Sequence, residues 1–314
     1  MKTAPLILLC ACAAVICVSC VTHPDRALQA YEAGVDYLHA GKNELALKEF
    51  TQAVKLDPDA VQAHMGRAAA QLALNNPAGA MQDYDRVIEL DPTNEAAVYY
   101  RGTCRLSLKD FHGALADFNA AVALNPEDAN AFTYRGATWL ALHDWEKGIA
   151  DFDRAILLDP TNASAYRFRA GAELELKNYQ SAFADASTAI HLVPADPYAW
   201  RIRAEVKSQL NDRDGAMADA NKAVELRPND PAGYLTRARV AVHLGDFTSA
   251  ENDIFKAIKM NPDNAENYAV RAQLEQKKGQ TKEAIADYKH ALKIAPHSAE
   301  APDYRTDIKD LEEK

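Results

Sequence analysis

Proline stands at positions 58, 92, 126, 160, 194, 228, 262 and 296, and every interval is 34 residues. A fixed period of that length means that one supersecondary motif is stacked on copies of itself. A motif so short cannot bury its own apolar face, so its core must continue from neighbour to neighbour. Aligned on these prolines, the chain divides into eight repeats: 27–60, 61–94, 95–128, 129–162, 163–196, 197–230, 231–264 and 265–298. Positions within a repeat are numbered 1 to 34, with the proline at 32. Length alone, 314 residues, suggests about two domains; the unbroken period predicts one array instead. With 48% hydrophobic and 25% charged residues, a disordered chain, a collagen-like chain and a polytopic membrane protein are excluded.

Each recurrent position has a physical role. Position 8 is glycine or alanine throughout, from Gly34 to Ala272, and position 20 runs likewise from Ala46 to Ala284. Small residues at both places let two helices approach closely. Position 24 is large in six repeats: Phe50, Tyr84, Phe118, Phe152, Ile254 and Tyr288. Positions 20, 24 and 27 fall on one stripe of a helix. Ala186 and Ala220 replace the large residue in repeats 5 and 6, where looser packing, or compensation by Phe183 and Met217, is expected. Asn, Asp or Ser at position 34 (seven repeats) and Asn or Asp at position 16 (six repeats) stand just before two helical stretches. Their side chains suit helix N-caps.

This register resembles the tetratricopeptide repeat, a helix–turn–helix of 34 residues with small residues at 8, 20 and 27 and proline at 32. The resemblance covers 27–298. It implies an all-α, right-handed α-solenoid of eight units making about one superhelical turn. Tyr304, Ile308 and Leu311 then form an i, i+4, i+7 stripe, so 299–314 is read as a helix capping the last repeat.

The first residues have a different character. After Lys2, the stretch from Ala4 to Ser19 carries no charge, and Cys20 follows. A charged start, an apolar stretch and small residues before the break describe an export signal. Ser19–Cys20 resembles the lipobox of bacterial lipoproteins, although Cys17 stands where leucine is usual. The resemblance implies a cleaved leader, 1–19, a lipidated Cys20, and a tether, 20–26, holding the protein to a bacterial membrane on its periplasmic or surface side. An uncleaved anchor is the other reading, since the twenty uncharged residues 3–22 could span a bilayer of about 30 Å. Cys104 is the one cysteine outside this segment; on a helix, it is expected to be a small buried residue.

Position 7 is arginine and position 23 is aspartate in repeats 2 to 8. Pairing is expected within a repeat, as Arg101 with Asp117, Arg135 with Asp151 and Arg169 with Asp185, or to the next, as Asp117 with Arg135. The pairs share the period of the fold, which makes a structural role the expectation.

The family resemblance places helix A residues at positions 2, 5, 6, 9, 12 and 13 on a concave face. Carried onto this chain, that face offers Tyr99, Tyr100, Tyr134 and Phe168, then Arg167, Tyr198, Arg201 and Arg239. Tyrosine and arginine dominate interface energetics, and arginine suits carboxylates. The net charge is -10, which disfavours nucleic acid as a partner. A protein or peptide ligand carrying an acidic segment is expected. A small-molecule or lipid carrier, using the apolar part of the groove, is the other class. No phosphate-binding loop, dinucleotide fingerprint, zinc-protease motif or nucleophile elbow occurs. No enzyme activity, metal or cofactor is expected.

Overall fold

The computed structural model describes residues 23–298 and 300–313. Cys20 and the leader lie outside the described residues. Seventeen helices and no strand are present among those described, so the chain is all-α. Helix contacts divide it after Leu124 into two compact units.

The first compact unit holds three helix pairs: α1 (His23–His39) with α2 (Asn43–Leu56), α3 (Val61–Ala73) with α4 (Pro77–Leu90), and α5 (Glu95–Ser107) with α6 (Phe111–Leu124). The second holds α7 (Ala129–Ala141) with α8 (Trp145–Leu158), α9 (Ala163–Glu175) with α10 (Tyr179–Leu192), and α11 (Pro197–Gln209) with α12 (Arg213–Leu226). It continues with α13 (Pro231–Leu244) and α14 (Phe247–Met260), α15 (Ala265–Lys277) and α16 (Thr281–Ile294), and ends on α17 (Ala301–Glu312).

Each pair closes on the residue at position 24. Phe50, Phe118 and Phe152 are fully buried, each worth about 1.5–3 kcal/mol of transfer free energy. The small residue at position 8 is what admits the ring: a Cβ on Gly136 would stand 2.6 Å from Cε1 of Phe152. Where Ala186 and Ala220 replace the large residue, both remain fully buried. Met217 packs beside Ala220 and Val240, taking up part of the missing volume, while Phe183 stays half-buried.

Caps and turns set the ends of the helices. Asn94, Asp128, Asn162, Asp196, Asp230 and Asn264 each accept from a first-turn amide, as do Asn76, Asp144, Asp212 and Asp246. Asn178 does not; its amide donates to Glu173 instead. Ser298 does not cap α17, whose N-cap is Glu300. Position 15 adopts a left-handed backbone in every repeat, and five of these residues are not glycine: Asn75, Lys109, His143, Lys177 and Asn211. Such residues carry a conformational cost, offset here because the turn lets helix B fold back on helix A.

Helices A stand side by side, α9 against α11, α11 against α13 and α13 against α15. That row places the exposed faces of four helices together. At its end α17 lays Tyr304, Ile308 and Leu311 over Tyr288 and Ala291 of α16.

Candidate binding surfaces and family

The arginine–aspartate pairs form within repeats, and each aspartate is largely buried. Asp117 accepts from Arg101 Nε at 3.0 Å and Nη2 at 2.6 Å. Asp151 accepts from Arg135 at 2.8 and 2.6 Å, and Asp185 from Arg169 at 2.6 and 2.7 Å. Arg67, Arg203, Arg237 and Arg271 hold Asp83, Asp219, Asp253 and Asp287 in the same fork. These bonds, made to the charged form, push the Arg101, Arg169, Arg237 and Arg271 guanidiniums further up.

The third arm of the guanidinium reaches back one repeat, to position 25. Arg101 Nη1 meets Asp85 at 2.9 Å, Arg169 meets Asp153 at 2.5 Å, and Arg237 meets Asn221 at 2.8 Å. One side chain thus ties both helices of its repeat to the preceding one. Position 11 adds further donors: Gln71 to Asp83, Arg105 to Asp117 and Lys207 to Asp219. His64 also joins Asp83, at 2.7 Å through Nδ1. Its presence was not legible in the repeat pattern, because position 4 is histidine in this repeat alone.

On the concave positions of the first compact unit, Tyr99 and Tyr100 meet edge to face at 5.1 Å. Tyr100 stacks on Tyr84 at 5.8 Å and keeps 42% of its surface exposed. Tyr99 reaches Phe118 at 6.0 Å. In the second compact unit Tyr134 is half-buried, and Phe168 stacks on Phe152 at 5.8 Å. At Tyr100 and Phe168, position 6 therefore packs partly onto the position-24 ring of the preceding repeat.

The three concave arginines have different surroundings. Arg167 pairs with Asp196 at 3.0 Å and lies over Phe168 at 4.2 Å. Arg239 is clasped between Glu205, at 2.8 Å, and Glu266; the charge of Glu205, then that of Glu266, holds its guanidinium above the usual arginine range. Arg201 donates through Nε to Thr236 Oγ1 at 3.0 Å and lies near the ring of the exposed Tyr198, 5.7 Å from its centroid. Of the three, Arg201 is the one whose ion-pairing capacity is not already taken by a carboxylate at salt-bridge distance. Asp196 closes the same repeat as Arg167, whereas Glu205, Thr236 and Glu266 come from repeats next to those of Arg239 and Arg201, so only the stagger between helices brings these three in.

Beside Arg239 a pocket of about 440 Å³ opens among Leu174, Glu175, Glu205, Val242, His243 and Gln273. Tyr99, Tyr134 and Phe168 are not in its walls. Glu175 lines this pocket and is partly desolvated there although much of its surface is exposed. That desolvation, followed by the charge of Glu205, raises its carboxyl above the usual range. Among the described residues, no group of three or more His, Cys, Asp or Glu is placed to hold a metal ion. No helix of the described residues is long and apolar enough to cross a membrane.

A family model described as tetratricopeptide repeat matches residues 31–95, 101–163, 140–197 and 235–299, and a second of the same description matches 199–230. The chain belongs to the tetratricopeptide repeat family. Proteins built from tetratricopeptide repeats are generally non-catalytic scaffolds that bind protein partners. No curated protein matches in sequence.

Solved structures share the architecture. A tetratricopeptide repeat protein from Parabacteroides merdae superposes with a TM-score of 0.64 at 18% identity, over 80% of this chain and 98% of that one. The pilF protein of Pseudomonas aeruginosa gives 0.58 at 20% identity, over 69% and 97%. A chain of the APC/C hetero-tetramer Cut9–Hcn1 gives 0.66 at 15% identity, over 92% of this chain and 54% of that one. At these identities the likeness is one of fold.

Proposed function

We propose that this tetratricopeptide repeat protein is a non-catalytic adaptor, tethered to a bacterial membrane through lipid on Cys20, that holds a protein partner on its concave face at the envelope. The observation that carries the binding reading is Arg201 beside Tyr198. These two side chains lie on the exposed row of helices A, and neither is consumed by the ladder that holds the repeats together. A carboxylate on the partner gives Arg201 the ion pair that Asp196 gives Arg167 and that Glu205 and Glu266 give Arg239. The partner segment is therefore acidic where it crosses α11.

The tether reading rests on the uncharged stretch before Ser19–Cys20. Only a few residues separate Cys20 from the first repeat, which would keep the array close to the bilayer. Crosslinked pull-down compares wild type with Arg201→Glu. Loss of one specific partner supports the reading, and identical captures contradict it. Arg167 and Arg239 are left intact, because reversing a paired arginine also disturbs its carboxylates. Metabolic labelling with a fatty acid, lost in Cys20→Ser, tests the anchor; label retained by that variant refutes it.

A further inference from the structure

The last rung of the ladder differs at positions 11 and 25 from the rungs of repeats 3 and 6. Position 11 varies along the ladder, being Trp139, Glu173 and Ala241 in repeats 4, 5 and 7, but it carries a cation for the buried aspartate in repeats 3 and 6, where Arg105 lies 2.8 Å from Asp117 and Lys207 lies 2.9 Å from Asp219. In repeat 8 that position is Glu275, whose Oε2 is buried without a hydrogen-bond partner. Position 25 of the preceding repeat, an acceptor for Arg101, Arg169 and Arg237, is here Phe255, with 70% of its surface exposed. Arg271 is correspondingly the most open of the paired arginines described, its side chain 40% exposed against 17% for Arg203.

These substitutions surround a pocket of about 260 Å³ with Ile254, Phe255, Arg271, Leu274 and Glu275 among its walls. Its charges do not balance. Arg271 forks onto Asp287, and Lys278 pairs with Glu251 across the rim. Glu275 has only a long contact, 4.0 Å from its Oε1 to the Nε of Arg271, which it shares with the closer Asp287, and Glu283 adds to the negative field from α16. On α13, the remaining helix packed against α15, Arg237 and Arg239 are both committed elsewhere, and His243 lines the other pocket. An apolar slot, an exposed aromatic ring and one surplus carboxylate are the complement of an alkylammonium group.

We propose that this pocket is a docking site for a lysine side chain of a partner protein. Its ammonium pairs with Glu275 beside the ring of Phe255, and its methylenes lie along Ile254 and Leu274. The chain displays the filled form itself: at Asp219 an ammonium and a guanidinium, those of Lys207 and Arg203, share one rung. The partner supplies in trans a second cation, as Lys207 does from within at Asp219. The site shares no residue with the concave groove, so it stands or falls separately from the adaptor reading.

Burial, then the charge of Asp287, pushes the Glu275 carboxyl up to about 7. The lysine stays charged across this range, so affinity follows ionisation of Glu275 and rises about tenfold between pH 6 and pH 8. The probe is the peptide acetyl-Leu-Lys-Leu-amide, with the norleucine peptide as its neutral isostere, titrated into the full chain while the methyl resonances of Ile254 and Leu274 are followed. Saturable shifts are expected with the lysine peptide alone. Glu275→Lys, which fills the rung from within, abolishes them and melts no lower than wild type. Phe255→Ala, a change at an exposed position, weakens binding roughly two- to fivefold. Equal binding of the norleucine peptide, unchanged binding by Glu275→Lys, or affinity that falls toward pH 8 overturns the proposal.

Discussion

Asp117→Ala is the sharpest test of what holds the repeats in register. Asp117 is 3% exposed and lies within 3.0 Å of two guanidiniums, those of Arg101 and Arg105. Removing one partner of a buried pair leaves the other charge desolvated, at about 3–5 kcal/mol. Here Arg101 keeps Asp85 at 2.9 Å, and the two arginines retain 19% and 25% side-chain exposure. Part of the lost solvation is thus recovered, and the expected loss is about 2–4 kcal/mol. The assay is urea unfolding followed by far-ultraviolet circular dichroism. With a slope of about 2 kcal/mol/M, the transition containing α5 and α6 shifts by about 1–2 M. The comparison variant replaces Arg101→Met, Arg105→Met and Asp117→Leu together and is expected within about 1 kcal/mol of wild type, since an apolar set carries no stranded charge. A loss below about 0.5 kcal/mol for Asp117→Ala would refute the reasoning.

Three further outcomes follow from the same structure. The Glu275 carboxyl is raised to about 7 in the fold and titrates near 4.5 when unfolded, so the native state holds the extra proton. Its contribution to stability is complete below about pH 4.5 and is lost as pH rises to about 7; discounted for partial exposure, the fall is about 1–2 kcal/mol, and melting Glu275→Gln at pH 5 and pH 8 should show it removed. Burial pushes the Cys104 thiol up to about 11, so peptide mapping after treatment with a thiol reagent at pH 8 should find it unmodified in native protein and modified in urea; rapid native labelling contradicts its placement. Gly136→Ala drives a methyl into the Phe152 ring, 2.6 Å from Cε1, and should lower stability by about 1–3 kcal/mol, measured by the urea midpoint.

The fold was legible because each level of the sequence repeats the same instruction. Proline at 32, small residues at 8 and 20 and a ring at 24 fix helix boundaries and pairing at once. The arginine–aspartate forks could be read the same way, since position 7 and position 23 flank the packing residues. The fate of the concave arginines could not. Arg239 meets Glu205 and Glu266, 34 residues before and 27 after it, and only the stagger of neighbouring helices makes those separations contacts. The five left-handed residues at position 15 that are not glycine gave no composition signal, because the turn imposes that backbone whatever the side chain.

The central claim is that the concave row around α11 is where a protein partner lies. Replacing Tyr198 with a photocrosslinking benzoylphenylalanine in intact cells tests it at the residue concerned, with Leu157, 71% exposed on α8, as the control position. The account predicts one discrete protein adduct at Tyr198, absent from Leu157 and lost when Arg201→Glu is added. No adduct at Tyr198, or one that persists undiminished with Arg201→Glu, would contradict it.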